Sequence, residues 1–181
     1  MPRPVRTATA MLQHYAESHR DRRNIATHLV GVPLMVFGAG VLLARPALQV
    51  GSASLTPAWL AFPLAAAWYL TRGHFGLGLA ASVAVALLLA LGQPLGAAGT
   101  AAWLTWGVGA LAAGWVVKLL GHYYEGRRAP RHGGAAALLV GPMFVVLELL
   151  AGIGLFRRLM DEIEHHAGPT HVRDLAHPLP H

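Results

Sequence analysis

The sequence predicts an all-α polytopic integral membrane protein, a helical bundle with about four to six membrane segments. Hydrophobic residues make up 55% of the 181 residues, charged residues only 12%, and the mean hydropathy is +0.47. The charged share is about half that of a typical soluble domain. Alternating strands of about ten residues, which a transmembrane barrel requires, are not visible in the sequence. Helices are therefore the expected spanning form.

The chain divides into three predicted parts. An N-terminal polar helix and turn (residues 1–24) precedes the membrane helical domain (residues 25–157), and a polar tail rich in His and Pro (residues 158–181) follows it. The apolar windows of the membrane domain are residues 25–44, 55–71, 75–92, 101–121 and 135–156. From Asp161 to His181 the chain is expected to be mobile, and its histidines lie in a stretch with no packing signal, so truncation after Glu164 is expected to preserve most activity.

The first window follows a charged turn. Asn24 is expected to cap its helix, because an Asn side chain can accept a free amide of the first turn. Gly31 and Pro33 are expected to kink that helix within the membrane, where neighbouring helices can satisfy the freed backbone groups. The basic first residues are not followed by an apolar core with a cleavage site, so no removable signal peptide is expected.

Clusters of arginine set the expected orientation. They lie at residues 20–23, 127–131 and 157–158, beside the predicted spans, and the sequence pI is about 10.8. Arginine-rich loops favour the cytoplasm, so the first two clusters are expected on one cytoplasmic face. Five full crossings would put the third cluster outside. This does not apply if the last segment, which contains Pro142 and Glu148, does not cross fully, or if the second window is not a span. No nucleic-acid-binding motif accompanies the arginines.

Histidines carry the strongest functional signal. His28 lies just inside the first window, His19 lies nine residues upstream, and His122 lies at the end of the fourth window, at the same predicted depth. An ionisable ring at membrane depth is costly and marks a functional site. His19 and His28 are half a turn out of phase on an unbroken helix, so they converge only if the chain bends within residues 20–24.

Two or three histidines with one carboxylate suit an iron or zinc site with open positions. The sequence has no cysteine, so thiolate ligands are excluded. Glu125 can act as a ligand, orient the His122 imidazole, or pair with Arg127 or Arg128. Glu148, within an apolar run, needs a partner or a proton. The other histidines considered are interpreted as interface or surface residues: His74, His132, His165, His166, His171, His177 and His181.

Three sequence blocks resemble a known family. The first, "YAESHRDRRNIATHLVGVPLM", carries Tyr15, His19, Asn24, His28, Gly31 and Pro33. The second is "GHYYEGRRAP" and the third is "GPMFVVLELL". Together they resemble the membrane-bound 2-hydroxy fatty acid dioxygenases of fungi and their bacterial relatives, over about residues 12–150.

The resemblance implies an iron(II)-dependent α-oxidation in which a 2-hydroxy fatty acid loses one carbon, with dioxygen as the oxidant. It implies that His19, His28 and His122 bind the metal and that Asn24 and Glu125 support catalysis. Zinc can replace iron in the purified protein. Arginines beside the site can hold the substrate carboxylate in a bidentate manner. The candidates are Arg22, Arg23, Arg127 and Arg128. The expected location is a bacterial inner membrane, with the metal near the cytoplasmic face and with membrane lipids as neighbours.

Two other functions use the same residues. A membrane zinc metallohydrolase would activate water at the histidines, and the lack of oxygen consumption would distinguish it. A non-catalytic membrane scaffold would use the histidines as interface anchors, and the lack of stoichiometric metal would favour it.

Overall fold

The computed structural model describes residues 7–51, 53–126 and 134–175, and the predicted helical membrane bundle is confirmed. The seven helices described are α1 (Ala8–Ala16), α2 (Arg22–Leu42), α3 (Pro57–Leu70), α4 (Phe75–Ala97), α5 (Thr100–Glu125), α6 (Gly134–Gly152) and α7 (Arg157–Ala167). A short antiparallel hairpin, β1 (Leu48–Val50) and β2 (Ala53–Leu55), joins α2 to α3. By length and composition α2, α4 and α5 can each cross a membrane, and α6 with α7 forms a bent fourth candidate.

The centre of the bundle is the antiparallel pair α2 and α5. Glycines let the two backbones approach closely. A side chain at Gly31 would meet the Gly114 carbonyl oxygen at 2.7 Å, and one at Gly38 would meet the Leu111 amide nitrogen at 2.7 Å. Small residues of this kind favour close helix packing in lipid, where the hydrophobic effect between helices is weak. The same pair carries His28 and His122, so its packing sets the geometry of the candidate site.

Several helix ends lie together at one face of the bundle, called here the site face. They are the start of α1, the turn between α3 and α4, the start of α2 and the end of α5. The Ala8 amide of α1 donates to the Arg72 carbonyl, between α3 and α4, at 2.8 Å. The Arg20 amide, just before α2, donates to the Glu125 carboxylate at the end of α5 at 3.1 Å. The turn at residues 20–23 and the end of α5 thus share a face, as the arginine distribution predicts for these two points. Residues 127–131 lie outside the described residues.

Five full crossings require α6 to run away from the site face. In the structure α6 runs toward the site face. Near its middle, Gly141 lies beside Val32 of α2, inside the bundle. Beyond its end, the Phe156 ring lies about 3.4 Å from the Cβ position of Gly76, at the start of α4 on the site face. The axis of α7 makes a bend of 116° with that of α6, and α7 packs on α1. Arg157 and Arg158 are therefore on the site face, which five full crossings would not give.

Candidate metal centre

Residues 17–21 separate α1 from α2 and are called here the break. The break brings His19 back toward α2, the first membrane helix. α1 ends at Ala16, and Asp21 caps α2 by accepting the Arg23 amide at 2.8 Å. A bend between His19 and His28 is confirmed, but it covers residues 17–21 and so lies earlier than the predicted residues 20–24. The predicted cap is wrong, because Asp21 takes the free amide and Asn24 already lies inside the first turn of α2. From there the Asn24 side chain reaches back and donates to the Ser18 carbonyl at 3.2 Å.

Three imidazoles converge at the break. His19 Nε2 and His28 Nε2 are 3.1 Å apart, and the His122 ring centroid lies 5.5 Å from that of His19 and 5.2 Å from that of His28. One nitrogen from each ring lies within 4.8 Å of the others. His19 and His28 are 1% and 0% exposed, and His122 is half-buried. The expected convergence of these three histidines is confirmed.

The hydrogen bonds of the rings orient their free nitrogens toward one another. His19 Nδ1 lies 2.7 Å from the Tyr15 carbonyl oxygen, and His28 Nδ1 lies 2.9 Å from the Asn24 carbonyl oxygen. A carbonyl oxygen only accepts, so both Nδ1 atoms carry the proton and donate. In the neutral rings the two Nε2 lone pairs then face each other with no hydrogen between them. That arrangement is unfavourable unless a cation lies between the nitrogens.

The geometry fits a first-row divalent ion. Two nitrogens at about 2.1 Å from a metal and at right angles to each other are about 3.0 Å apart, close to the separation of His19 and His28. The His122 Nδ1 is buried and has no hydrogen-bond partner among the described residues, which leaves it available as a ligand. Three imidazole nitrogens suit iron, zinc, copper or nickel and leave coordination positions open. The donor set therefore fits the expected metal.

Electrostatics and stacking keep His19 in a form that can bind a cation. Burial, followed by the effect of His28 beside it, holds the pKa of His19 well below its usual range. Its imidazole is thus neutral at physiological pH, as a metal ligand must be. The Tyr15 ring stacks on His19 with centroids 4.1 Å apart, and burial raises the pKa of the Tyr15 hydroxyl. Phe144 of α6 lies 5.8 Å from His19 and helps exclude water.

Glu125 and Asn24 position the break and do not join the ring nitrogens. The Glu125 carboxylate accepts the amides of Arg20 and Asp21 at 3.1 and 2.9 Å and the Asn24 side-chain amide at 2.9 Å. Among the described residues, the group of side chains able to hold an ion contains the three histidines and not Glu125. These hydrogen bonds give Glu125 and Asn24 a positioning role at the break, and the catalytic role expected of them from the sequence stays a prediction. The physical reason is that the break exposes backbone amides that need a buried acceptor.

The arginines expected to hold a substrate carboxylate are committed elsewhere or exposed. Arg23 donates to both oxygens of Asp21, at 3.1 and 2.8 Å, and lies over the Tyr124 ring. Arg22 is exposed and donates to Thr170 Oγ1 at 3.4 Å. The substrate role expected of these two arginines stays a prediction. The other two candidates, Arg127 and Arg128, lie outside the described residues.

The C-terminal segment, residues 168–173, is bonded to the break. The His171 amide donates to the Arg20 carbonyl at 2.9 Å, and the Arg22 amide donates to the His171 carbonyl at 2.9 Å. The Arg173 amide donates to Asp21 Oδ2 at 2.8 Å. This segment is therefore packed against the break although the sequence carries no packing signal there, because it satisfies backbone donors and acceptors left open at the break.

The other histidines among the described residues do not join the three rings. His74 precedes α4, and its side chain makes no cap hydrogen bond. His166 on α7 pairs with the exposed Glu17 at 3.2 Å, and His171 contributes backbone bonds to the break. His165 is exposed on α7. The interpretation of His132, His177 and His181 concerns residues outside the described ranges.

Two cations near the histidines were not singled out from the sequence. Arg20 is 4% exposed and its Nε donates to the Ala16 and His19 carbonyls at 2.9 and 3.1 Å, so it supports the break from within. Lys118 lies one helical turn before His122 on α5. The spacing of four residues is the signal that could have linked it to the site.

The fold and the site define a polytopic helical membrane protein with a three-histidine cluster, two of its rings buried and one half-buried, that can hold a metal ion just beneath one face. The chain belongs to the Mpo1-like family, described as 2-hydroxy-palmitic acid dioxygenase Mpo1-like, whose match covers residues 5–153. Neither the curated proteins nor the solved structures include a match to the chain. The family match covers all three histidines and ends before α7 and the C-terminal segment.

Proposed function

We propose that this protein is an iron(II)-dependent dioxygenase that converts a 2-hydroxy fatty acid to a product one carbon shorter by α-oxidation. The observation that supports it most is the cluster of His19, His28 and His122 beneath a membrane face, in a chain whose family is named for a 2-hydroxy-palmitic acid dioxygenase. A site at this depth suits a substrate with a polar head and a long acyl tail, because the tail can stay among apolar helices.

The proposed reaction balances with dioxygen as the only oxidant. The bond between C1 and C2 of the 2-hydroxy acid breaks, C2 becomes the new carboxyl carbon, and C1 leaves as carbon dioxide. The substrate gives up four electrons to one dioxygen molecule, and the remaining oxygen leaves as water. Ferrous iron, when bound, supplies open coordination positions at which dioxygen and the hydroxy acid can meet.

The residues around the cluster prepare it for this chemistry. The carbonyls of Tyr15 and Asn24 fix the tautomers of His19 and His28, so that both free nitrogens face the metal position. The Tyr15 hydroxyl is buried and has no partner among the described residues, so it can donate to a bound oxygen-containing group. The break, held by Glu125, keeps His19 against α2.

Oxygen consumption tests the proposal. Metal-stripped protein in detergent, reloaded anaerobically with ferrous iron, is expected to take up dioxygen with 2-hydroxyhexadecanoic acid and to release pentadecanoic acid. Hexadecanoic acid, the matched compound without the hydroxyl, is expected to give no uptake above background. The measurement is an oxygen electrode trace combined with mass spectrometry of the products.

Three results would contradict the dioxygenase. If the iron-loaded protein takes up no dioxygen, the dioxygenase assignment is refuted. Ester or amide hydrolysis by zinc-loaded protein would move the assignment to a membrane metallohydrolase, because zinc binds histidine sites more tightly than ferrous iron. Failure to bind any stoichiometric metal would favour a membrane scaffold.

We further propose a bacterial inner membrane location with the site face in the cytoplasm. The support is the position of Arg22, Arg23, Arg157 and Arg158 at this face. The chain has no cysteine, so single-cysteine variants report orientation without background. Arg22→Cys is expected to react with an impermeant maleimide only in inside-out vesicles, and Gln49→Cys, in the exposed hairpin, only in right-side-out vesicles. Labelling of both from the same side would contradict the orientation.

A further inference from the structure

Lys118 is a cation inside a membrane helix that no described residue neutralises. It is the only lysine of the sequence, and the other thirteen basic residues are arginines. It lies seven residues before the end of α5, about 10 Å below the site face at 1.5 Å per residue. Among the described residues it has no hydrogen-bond or salt-bridge partner. A cation at such a depth is costly and marks a functional site.

Lys118 is on the side of α5 that faces α2 and the histidines. Gly114 and Gly121, which share this side, are buried against α2. Trp115 and Leu119, which flank Lys118 on its other side, are exposed toward the surroundings. The backbone nitrogen of Lys118 lies 3.3 Å from the Cβ position of Gly31. The lysine thus starts at the helix interface, one turn deeper than His122, and its half-buried side chain is close to the ring cluster.

The charge of Lys118 acts on all three rings. Its ammonium group interacts electrostatically with His19, His28 and His122. A cation beside three metal ligands weakens the binding of a further cation unless an anion joins the site. Glu125 does not contact this position, since its oxygens accept three N–H groups at the break. A divalent ion held by neutral imidazoles beside the Lys118 ammonium would therefore leave the site with a net positive charge, which an anionic group of the substrate would reduce.

We propose that Lys118 binds the carboxylate of the substrate and holds the acid with its head group at the three histidines. The inference rests on the proposed function, because it assigns the head-group contact of that same site. It replaces the arginines of the break, of which Arg22 is exposed and Arg23 is committed to Asp21. A lysine suits this task because a compact ammonium on a flexible stem can follow the carboxylate within a confined site.

Kinetics of charge variants test the contact. Lys118→Gln is expected to raise the KM for 2-hydroxyhexadecanoic acid by about 10- to 100-fold, the usual effect of losing a hydrogen bond to a charged group, and to leave the bound iron per protein unchanged. Lys118→Arg, which keeps the charge, is expected to recover part of the affinity. Arg158→Gln, an exposed change on α7, serves as the matched control and is expected to leave the KM unchanged. An unchanged KM in Lys118→Gln would overturn the proposal.

Amine labelling of the unmodified protein separates this proposal from the proposed function. Reductive methylation modifies lysine amines, and Lys118 is the only one, so its modification is read directly by peptide mass. Bound 2-hydroxyhexadecanoic acid is expected to protect Lys118 at least fivefold, and its methyl ester is expected to protect much less.

The protection assay does not depend on turnover. Protection by the acid without oxygen uptake would leave Lys118 as a carboxylate site and remove the dioxygenase. Equal protection by the acid and the ester, or protection only by anionic phospholipid vesicles, would overturn the Lys118 proposal even if oxygen uptake is observed. The assay also decides the matter if Lys118→Gln fails to fold.

Discussion

Replacement of His28 by alanine is expected to reduce bound iron to less than about a tenth of the wild-type stoichiometry and to abolish oxygen uptake. His28 is fully buried, and its Nε2 lies 3.1 Å from that of His19. Without the His28 ring only two imidazole ligands remain, and the affinity of the site for iron falls because one of its three ligands is lost. Iron content by elemental analysis, measured beside the oxygen electrode trace, checks the result.

His74→Ala is the matched control, since His74 lies at the site face but outside the cluster. It is expected to keep iron and activity. Because His28 is buried, its loss also leaves a cavity, and His122→Gln, at a half-buried position, provides a second test in which less packing is lost. A folded His28→Ala and a folded His122→Gln that both retain full iron would refute the metal centre.

Removal of residues 168–181 is expected to lower iron affinity about tenfold and to reduce the melting temperature, while all seven helices remain. The truncation ends at Ala167, the last residue of α7, and removes the backbone bonds between His171 and the break. Each such bond contributes about 0.5 to 1.5 kcal/mol, and here they act together on the segment that holds His19. Iron titration and thermal unfolding in detergent measure the two effects.

The control for this truncation ends at Leu175, so that only residues 176–181 are removed and the bonded segment stays. It is expected to behave like the full chain. Equal iron affinity in the two truncated proteins would show that the C-terminal segment does not position the centre, and would restore the sequence-based expectation that the tail is dispensable.

The membrane helices were predictable because lipid imposes a simple requirement on them. Each long apolar window became a helix close to its predicted bounds, as with Phe75–Ala97 for the window at residues 75–92. The direction of α6 was not predictable from hydropathy, which does not show the face toward which a segment runs. Its burial against α2 and α4 supplied that information.

The histidine cluster was predictable in part. The half-turn phase between His19 and His28 required a bend, and the bend is present. The partners of Glu125 could not be predicted, since the number of free amides at a bend depends on where each helix ends. The role of residues 168–173 was hidden for a similar reason: their contacts are backbone bonds, which leave no side-chain pattern in the sequence.

The division of the three rings between the start of the chain and the end of α5 has a consequence for biosynthesis. His19 and His28 emerge from the ribosome with the first membrane helix, and His122 follows only with the third long one. An ion held by all three can be captured only after α5 has inserted and packed against α2. Metal acquisition is then a late step that follows membrane integration. A chain that holds the ion with all three histidines therefore has α2 and α5 inserted and packed together.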